Sequence, residues 1–157
     1  MLANLRTVVS SVMGGLVIVG FALWFVLTDH SETPDPLWPA IVLALGVAAA
    51  GLINTVGFRT PAVAPSATTE ESAQQARASF QAGTISRMAM AETPAIAAIA
   101  LAFVTDDGGY ALYLLGAAIS LTLLAVYALP TDSTIARTQS SLEREGGRAD
   151  LATALNG

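Results

Sequence analysis

Glu92 is the one acidic residue inside an otherwise apolar run, AMAETPAIAAIALAF, residues 89–103. A carboxylate in such a setting is suited to taking up and releasing a proton or a small cation. Three other polar side chains could share a site with it. Arg87 lies five residues earlier, about 7 Å away along a helix axis. Thr93 follows directly, and Asn54 stands near the end of another apolar stretch. Glu92, Arg87, Asn54 and Thr93 are therefore the candidate ion-binding set. A charge at mid-bilayer costs roughly 2.5–3.5 kcal/mol and less near the surface. The same residues thus also fit a plainer role, an interfacial acid that snorkels or pairs with Arg87 and sets the depth of its helix. Burial would raise the pKa of Glu92 and Arg87 would lower it, so the direction stays open. Pro94 removes an amide donor beside the acid and weakens the helix there.

Little other chemistry is available. There is no cysteine, which excludes thiolate metal sites and cysteine nucleophiles, and with no lysine and His30 as the single histidine the common general bases and Schiff-base chemistry are nearly absent. No phosphate-binding loop, catalytic triad pattern or zinc-protease signature occurs. No catalytic residue is assigned, no metal site and no cofactor is expected, and the chain is expected not to be an enzyme. A net charge of −5 argues against a nucleic-acid partner. Asp29, His30, Glu32, Asp35, Asp106 and Asp107 could converge on a hard cation, but solvated turns explain them more simply.

The elements that must position these residues follow from composition. Only 12% of residues are charged against 54% hydrophobic, with a mean hydropathy of +0.61. A soluble domain carries about 25% charge, so this chain cannot cover a water-facing surface. Val8–Leu27 contains no charged residue and, at roughly 1.5 Å per residue, matches a hydrocarbon core about 30 Å thick. It exceeds a signal-peptide core and lacks a small-residue cleavage site, so it is expected to be retained. Trp38–Val56, Met88–Val104 and Tyr110–Leu129 complete four predicted spans, the second opening on an interfacial Trp-Pro and the fourth closed by Pro130.

All seven arginines, at positions 6, 59, 77, 87, 137, 144 and 148, fall in the N-terminus, the long connection or the C-terminal segment, whereas the short connections are acidic. The positive-inside rule then puts both termini and the 57–87 connection in the cytoplasm of a multi-pass protein of the inner (plasma) membrane. Short turns predict that spans one and two, and spans three and four, are antiparallel neighbours. The expected fold is all-α, an integral membrane protein of four transmembrane helices in two hairpins with cytoplasmic helical extensions. Residues 1–57 form the first hairpin, 58–87 a cytoplasmic linker and helix, 88–130 the second hairpin and 131–157 a cytoplasmic C-terminal tail. The paired layout is compatible with an old duplication, and equally with any four-span chain that obeys the charge rule.

Thr68-Thr69-Glu70-Glu71 has the spacing of a capping box, and nothing from there to Arg87 except Gly83 opposes a helix running unbroken into span three. Beyond Pro130, the sequence Thr131-Asp132-Ser133 offers a second cap. Ile135, Leu142, Leu151 and Leu155 are then compatible with either a weak surface helix broken at Gly146-Gly147 or a solvated tail. Small residues four apart occur as Ser11/Gly15, Gly46/Ala50, Pro94/Ala98/Ala102 and Gly116/Ser120. They mark Gly15, Gly46, Ala50, Ala98 and Gly116 as helix-packing positions, within the bundle or against another copy.

The run Ala91-Glu92-Thr93-Pro94-Ala95-Ile96, with the glycine-rich second span and its Phe58-Arg59-Thr60-Pro61 exit, resembles the ion-carrying hairpin of subunit c of rotary ATP synthases. That subunit has two spans, a short loop and a carboxylate near mid-membrane, all unlike this chain. A closer resemblance is to an uncharacterised family of small bacterial four-span membrane proteins. It rests on the Ala-x-x-Glu-x-Pro-Ala pattern ending at Ala95, reached through an arginine, and on Pro130-Thr131-Asp132 after the last span. That resemblance implies architecture and no activity. The functional expectation is a non-enzymatic accessory or assembly subunit of a membrane complex. Its partners would be the lipid bilayer and other membrane subunits or itself. The alternative is a proton- or cation-handling module of the transport type using Glu92.

Overall fold

In a computed structural model, described for residues 1–27, 33–105 and 108–156, all regular structure is helical. The elements are α1 (Leu2–Val26), α2 (Leu37–Thr55), α3 (Thr69–Ala102), α4 (Gly109–Leu123) with a π-helical turn (Leu124–Ala128), α5 (Asp132–Leu142) and α6 (Leu151–Asn156). Four helices are long and apolar enough to cross a membrane: α1, α2, α3, and α4 together with its π turn. Of the outer acids, Asp29, His30, Glu32, Asp106 and Asp107 lie outside the described residues. Asp35 accepts a bond from the Leu37 amide at 2.8 Å and so caps α2.

The third helix is the longest, 34 residues and about 50 Å. It starts at the expected capping box. The Glu71 amide donates to Thr68 Oγ1 at 3.3 Å, and the Thr68 amide donates to Glu71 Oε2 at 2.9 Å. The bonds from Thr68, amide first and hydroxyl second, hold the Glu71 carboxyl below its ordinary value. A depressed folded value means that the cap is at full strength above the unfolded value and fades as pH falls through the folded one. The protection of first-turn amides of α3, relative to their unstructured exchange rate at the same pH, should therefore fall on acidification in the native chain. In Glu71→Gln that acid dependence should be gone; a native first turn whose protection ignores pH would contradict the cap.

The packing centre is the pair α3 and α4, which meet through small residues. Ala91, Ala95 and Ala98 are fully buried, and a Cβ built on Gly116 would overlap the Ala98 methyl and come within 2.7 Å of the Pro94 carbonyl oxygen. Gly46 admits Ile119 in the same way, 2.7 Å from where its Cβ would be, and Ala50 packs partly buried on the same core. Gly15 does not behave like these: no atom lies within 4 Å of the position its Cβ would take. Pro94 breaks the amide ladder of α3, and α4 repairs it, because the Ala95 amide donates to the fully buried Ser120 hydroxyl at 3.0 Å. Ser120→Ala is expected to lower stability by about 1 kcal/mol, read as a lower Tm in detergent. An unchanged Tm would mean that the Ala95 amide finds another acceptor.

The first two spans depart from the hairpin expectation. α1 rests chiefly on α4, and α2 rests on α3 and α4, while α1 and α2 make little contact with each other. A short turn ties only two helix ends and leaves the rest of each helix to follow the better surface. For α1 that surface is Tyr113, whose hydroxyl donates to the Leu16 carbonyl and whose ring lies against Gly20.

The other departure is at the C-terminus. Residues 131–156 are folded rather than a solvated tail. Leu142, Leu151 and Leu155 are almost fully buried against Val63, Ala76 and Phe80, with Leu5 from the start of α1. The Val63 amide donates to the Leu142 carbonyl at 2.8 Å, closing the end of α5. The few apolar positions of the segment therefore assemble a second, polar-surfaced lobe on the amino-terminal half of α3.

Candidate functional site

Where the lobe meets the four-helix bundle, the carboxyl end of α2, the middle of α3, the π turn and α5 converge. α2 closes at Val56, and Gly57 and Phe58 turn the chain across α3. The carbonyls at a helix end carry partial negative charge and attract a cation. Arg87 supplies it: Nη1 donates to the Gly57 carbonyl at 3.1 Å and Nη2 to Thr84 Oγ1 at 3.0 Å, and Thr84 in turn donates to the Phe80 carbonyl at 2.8 Å.

The Arg87 side chain is fully buried. Its guanidinium centre lies 4.4 Å from the Phe58 ring centre and 5.8 Å from that of Phe80. Gly83 leaves room for it, since a Cβ there would sit 3.2 Å from Nη1. Burying a lone cation is expensive, and here two aromatic faces, a carbonyl and a hydroxyl offset the loss of water. Nε has no hydrogen-bond partner among the described residues.

A second arginine approaches Phe58. The Arg137 guanidinium centre is 5.2 Å from the ring centre, and its Nη1 donates to Asn54 Oδ1 at 3.1 Å. The Asn54 amide nitrogen donates to the Tyr127 hydroxyl at 2.9 Å and to the Ala50 carbonyl at 2.8 Å. Tyr127 lies on the π turn, whose wider coil is closed by the bond from the Leu129 amide to the Leu124 carbonyl, 3.0 Å, just before Pro130. The result is a continuous chain from Tyr127 through Asn54, Arg137 and Phe58 to Arg87. It fastens the lobe to the ends of the long helices.

Of the expected ion-binding set, Asn54 and Arg87 belong to this chain and Glu92 and Thr93 do not. Residues five apart on a helix lie about 140° apart around its axis, so Arg87 and Glu92 point to different faces, unlike pairs three or four apart. Glu92 is half-buried and has no hydrogen bond or ion pair among the described residues, where Arg144–Glu145, at 3.6 Å, is the ion pair within 4 Å. Thr93 Oγ1 donates to the Ala89 carbonyl of its own helix at 3.4 Å. Glu92 sits at the edge of an outer stripe of α3 formed by Ala89, Thr93 and Ile96.

Sequence reasoning missed Phe58, Thr84, Tyr127 and Arg137. One signal was present. Phe58 and Phe80 are the two phenylalanines outside the apolar runs, in a stretch otherwise composed of small and polar residues, and such rings need a buried place.

No protein-family model, curated protein or solved structure matches the chain.

Proposed function

We propose that this is a non-enzymatic, four-span protein of the plasma membrane, with both termini and the lobe cytoplasmic, that serves as an accessory or assembly subunit. The single observation that carries the reading is Glu92. A carboxylate without a partner, half-sunk beside the exposed Ile96, needs a donor or cation from outside the chain if it is to sit in lipid. A neighbouring helix, from another subunit or a second copy, would supply it. Arg87 is turned toward Gly57, Thr84 and two rings, on a different face of α3 from Glu92, which argues against it as an ion-release partner for that acid.

The test is a photo-crosslinking amino acid at Ala89 or Ile96 in the native membrane. Expected is one discrete protein adduct, weakened by Glu92→Gln. Lipid adducts alone, with a monomer after gentle extraction, would overturn the reading. So would carbodiimide labelling of Glu92 that falls with rising pH or added sodium, the behaviour of an ion carrier. Orientation is tested by a reporter fused after Gly157, which should be active only on the cytoplasmic side.

A further inference from the structure

A cleft of about 470 Å³ opens where α2 ends against α5, lined by Asn54, Thr55, Arg59, Arg137, Ser140 and Ser141 together with Phe58. Its lining contains two arginines and no acidic residue, in a chain whose net charge is −5. The Arg59 side chain makes no hydrogen bond or ion pair among the described residues. Arg137 uses one N–H on Asn54 and one face on Phe58, which leaves further donors. Ser141 Oγ accepts from the Thr60 amide at 3.1 Å, so its own proton is free to be donated. Neither arginine meets an acid within 4 Å among the described residues. Glu143, just past the end of α5, is engaged elsewhere: its Oε1 accepts from Gln139 at 3.2 Å and from the Ala149 amide at 3.0 Å.

Two arginines and two serines line one space, and guanidinium forks with hydroxyl donors suit the oxygens of a phosphate. Asn54 and Thr55 are the last residues of a helix long and apolar enough to span a membrane, so one wall of the cleft stands at the depth of lipid headgroups. We infer that the cleft between Arg59 and Arg137 binds a phosphate-bearing anion, supplied by an anionic phospholipid headgroup or by free phosphate. This rests on the membrane reading for the lipid source alone; the phosphate chemistry stands without it.

The full chain in detergent is titrated with phosphatidylglycerol, with phosphatidylcholine of the same acyl chains, and with inorganic phosphate, and binding is read by native mass spectrometry and by Tm. The informative variant is Arg59→Gln, because Arg59 holds nothing in the fold. Expected is retention of phosphatidylglycerol over phosphatidylcholine, about tenfold weaker in Arg59→Gln with the lipid-free Tm unchanged. Preference for inorganic phosphate would assign the free anion as the source. Equal binding of both lipids with no effect of inorganic phosphate, or Arg59→Gln behaving as native toward every anion, overturns the site. Recovery of the chain in the aqueous fraction of cells would instead defeat the membrane reading and leave the inorganic-phosphate result to decide the cleft.

Discussion

Arg87→Ala is expected to destabilise the chain by about 3 kcal/mol, seen as a fall in Tm on the order of 5–10 °C in detergent. The arginine is fully buried, so truncation leaves a void between Phe58 and Phe80 that the rings cannot close without shifting the turn after α2. It also strips the Gly57 carbonyl of its donor at a place water does not reach, a loss of about 1–3 kcal/mol by itself. Arg87→Lys keeps the charge but not the fork, and an ammonium cannot reach Gly57 and Thr84 together while lying flat on a ring; it should fall between native and alanine. Arg87→Met fills the volume without a buried cation, and replacement of this kind is often close to neutral. Methionine well above alanine would assign the loss to packing. Alanine equal to native would mean that the lobe is not fastened through this residue.

Gly116→Val should be nearly as damaging, through the opposite fault. The new Cβ would overlap the Ala98 methyl and press on the Pro94 carbonyl oxygen at 2.7 Å. Overpacking usually costs about 1–3 kcal/mol. Here the obstructing atom is backbone, which has no rotamer to escape into, so the α3–α4 pair must separate along its length. The separation also pulls Ser120 from the Ala95 amide. Loss of the monodisperse species on size exclusion is the expected result, with Gly116→Ala intermediate. Gly15→Ala is the control, with no atom within 4 Å of its Cβ, and should match or slightly exceed native stability. A fully folded Gly116→Val would show that the two helices have another register available.

The long-range outline was legible because hydrophobicity acts over whole segments. Four apolar helices, the cap at Thr68 and the unbroken passage of α3 past Gly83 all follow from patterns of many residues. What was not legible depended on direction around an axis or on partners distant in sequence. Arg87 and Glu92 are close in number, yet their angular offset separates them, and the carbonyl that captures Arg87 belongs to Gly57, thirty residues away. α1 left α2 for Tyr113 because a surface, not a turn, chose its neighbour. The C-terminal leucines were too sparse to announce a core, since their counterpart, Phe80 with Val63 and Ala76, is supplied by other segments.

The 34-residue α3 belongs to both the lobe and the bundle, and its one missing rung lies at Pro94, next to the Ala95 amide that Ser120 of α4 holds. A rod of about 50 Å whose one weak rung is clamped by its neighbour acts as a strut. A push on the lobe would pass along α3 to the Gly116 contact and load α4 with it, so the place to watch for the mechanical effect of anything bound at one end of this molecule is the other.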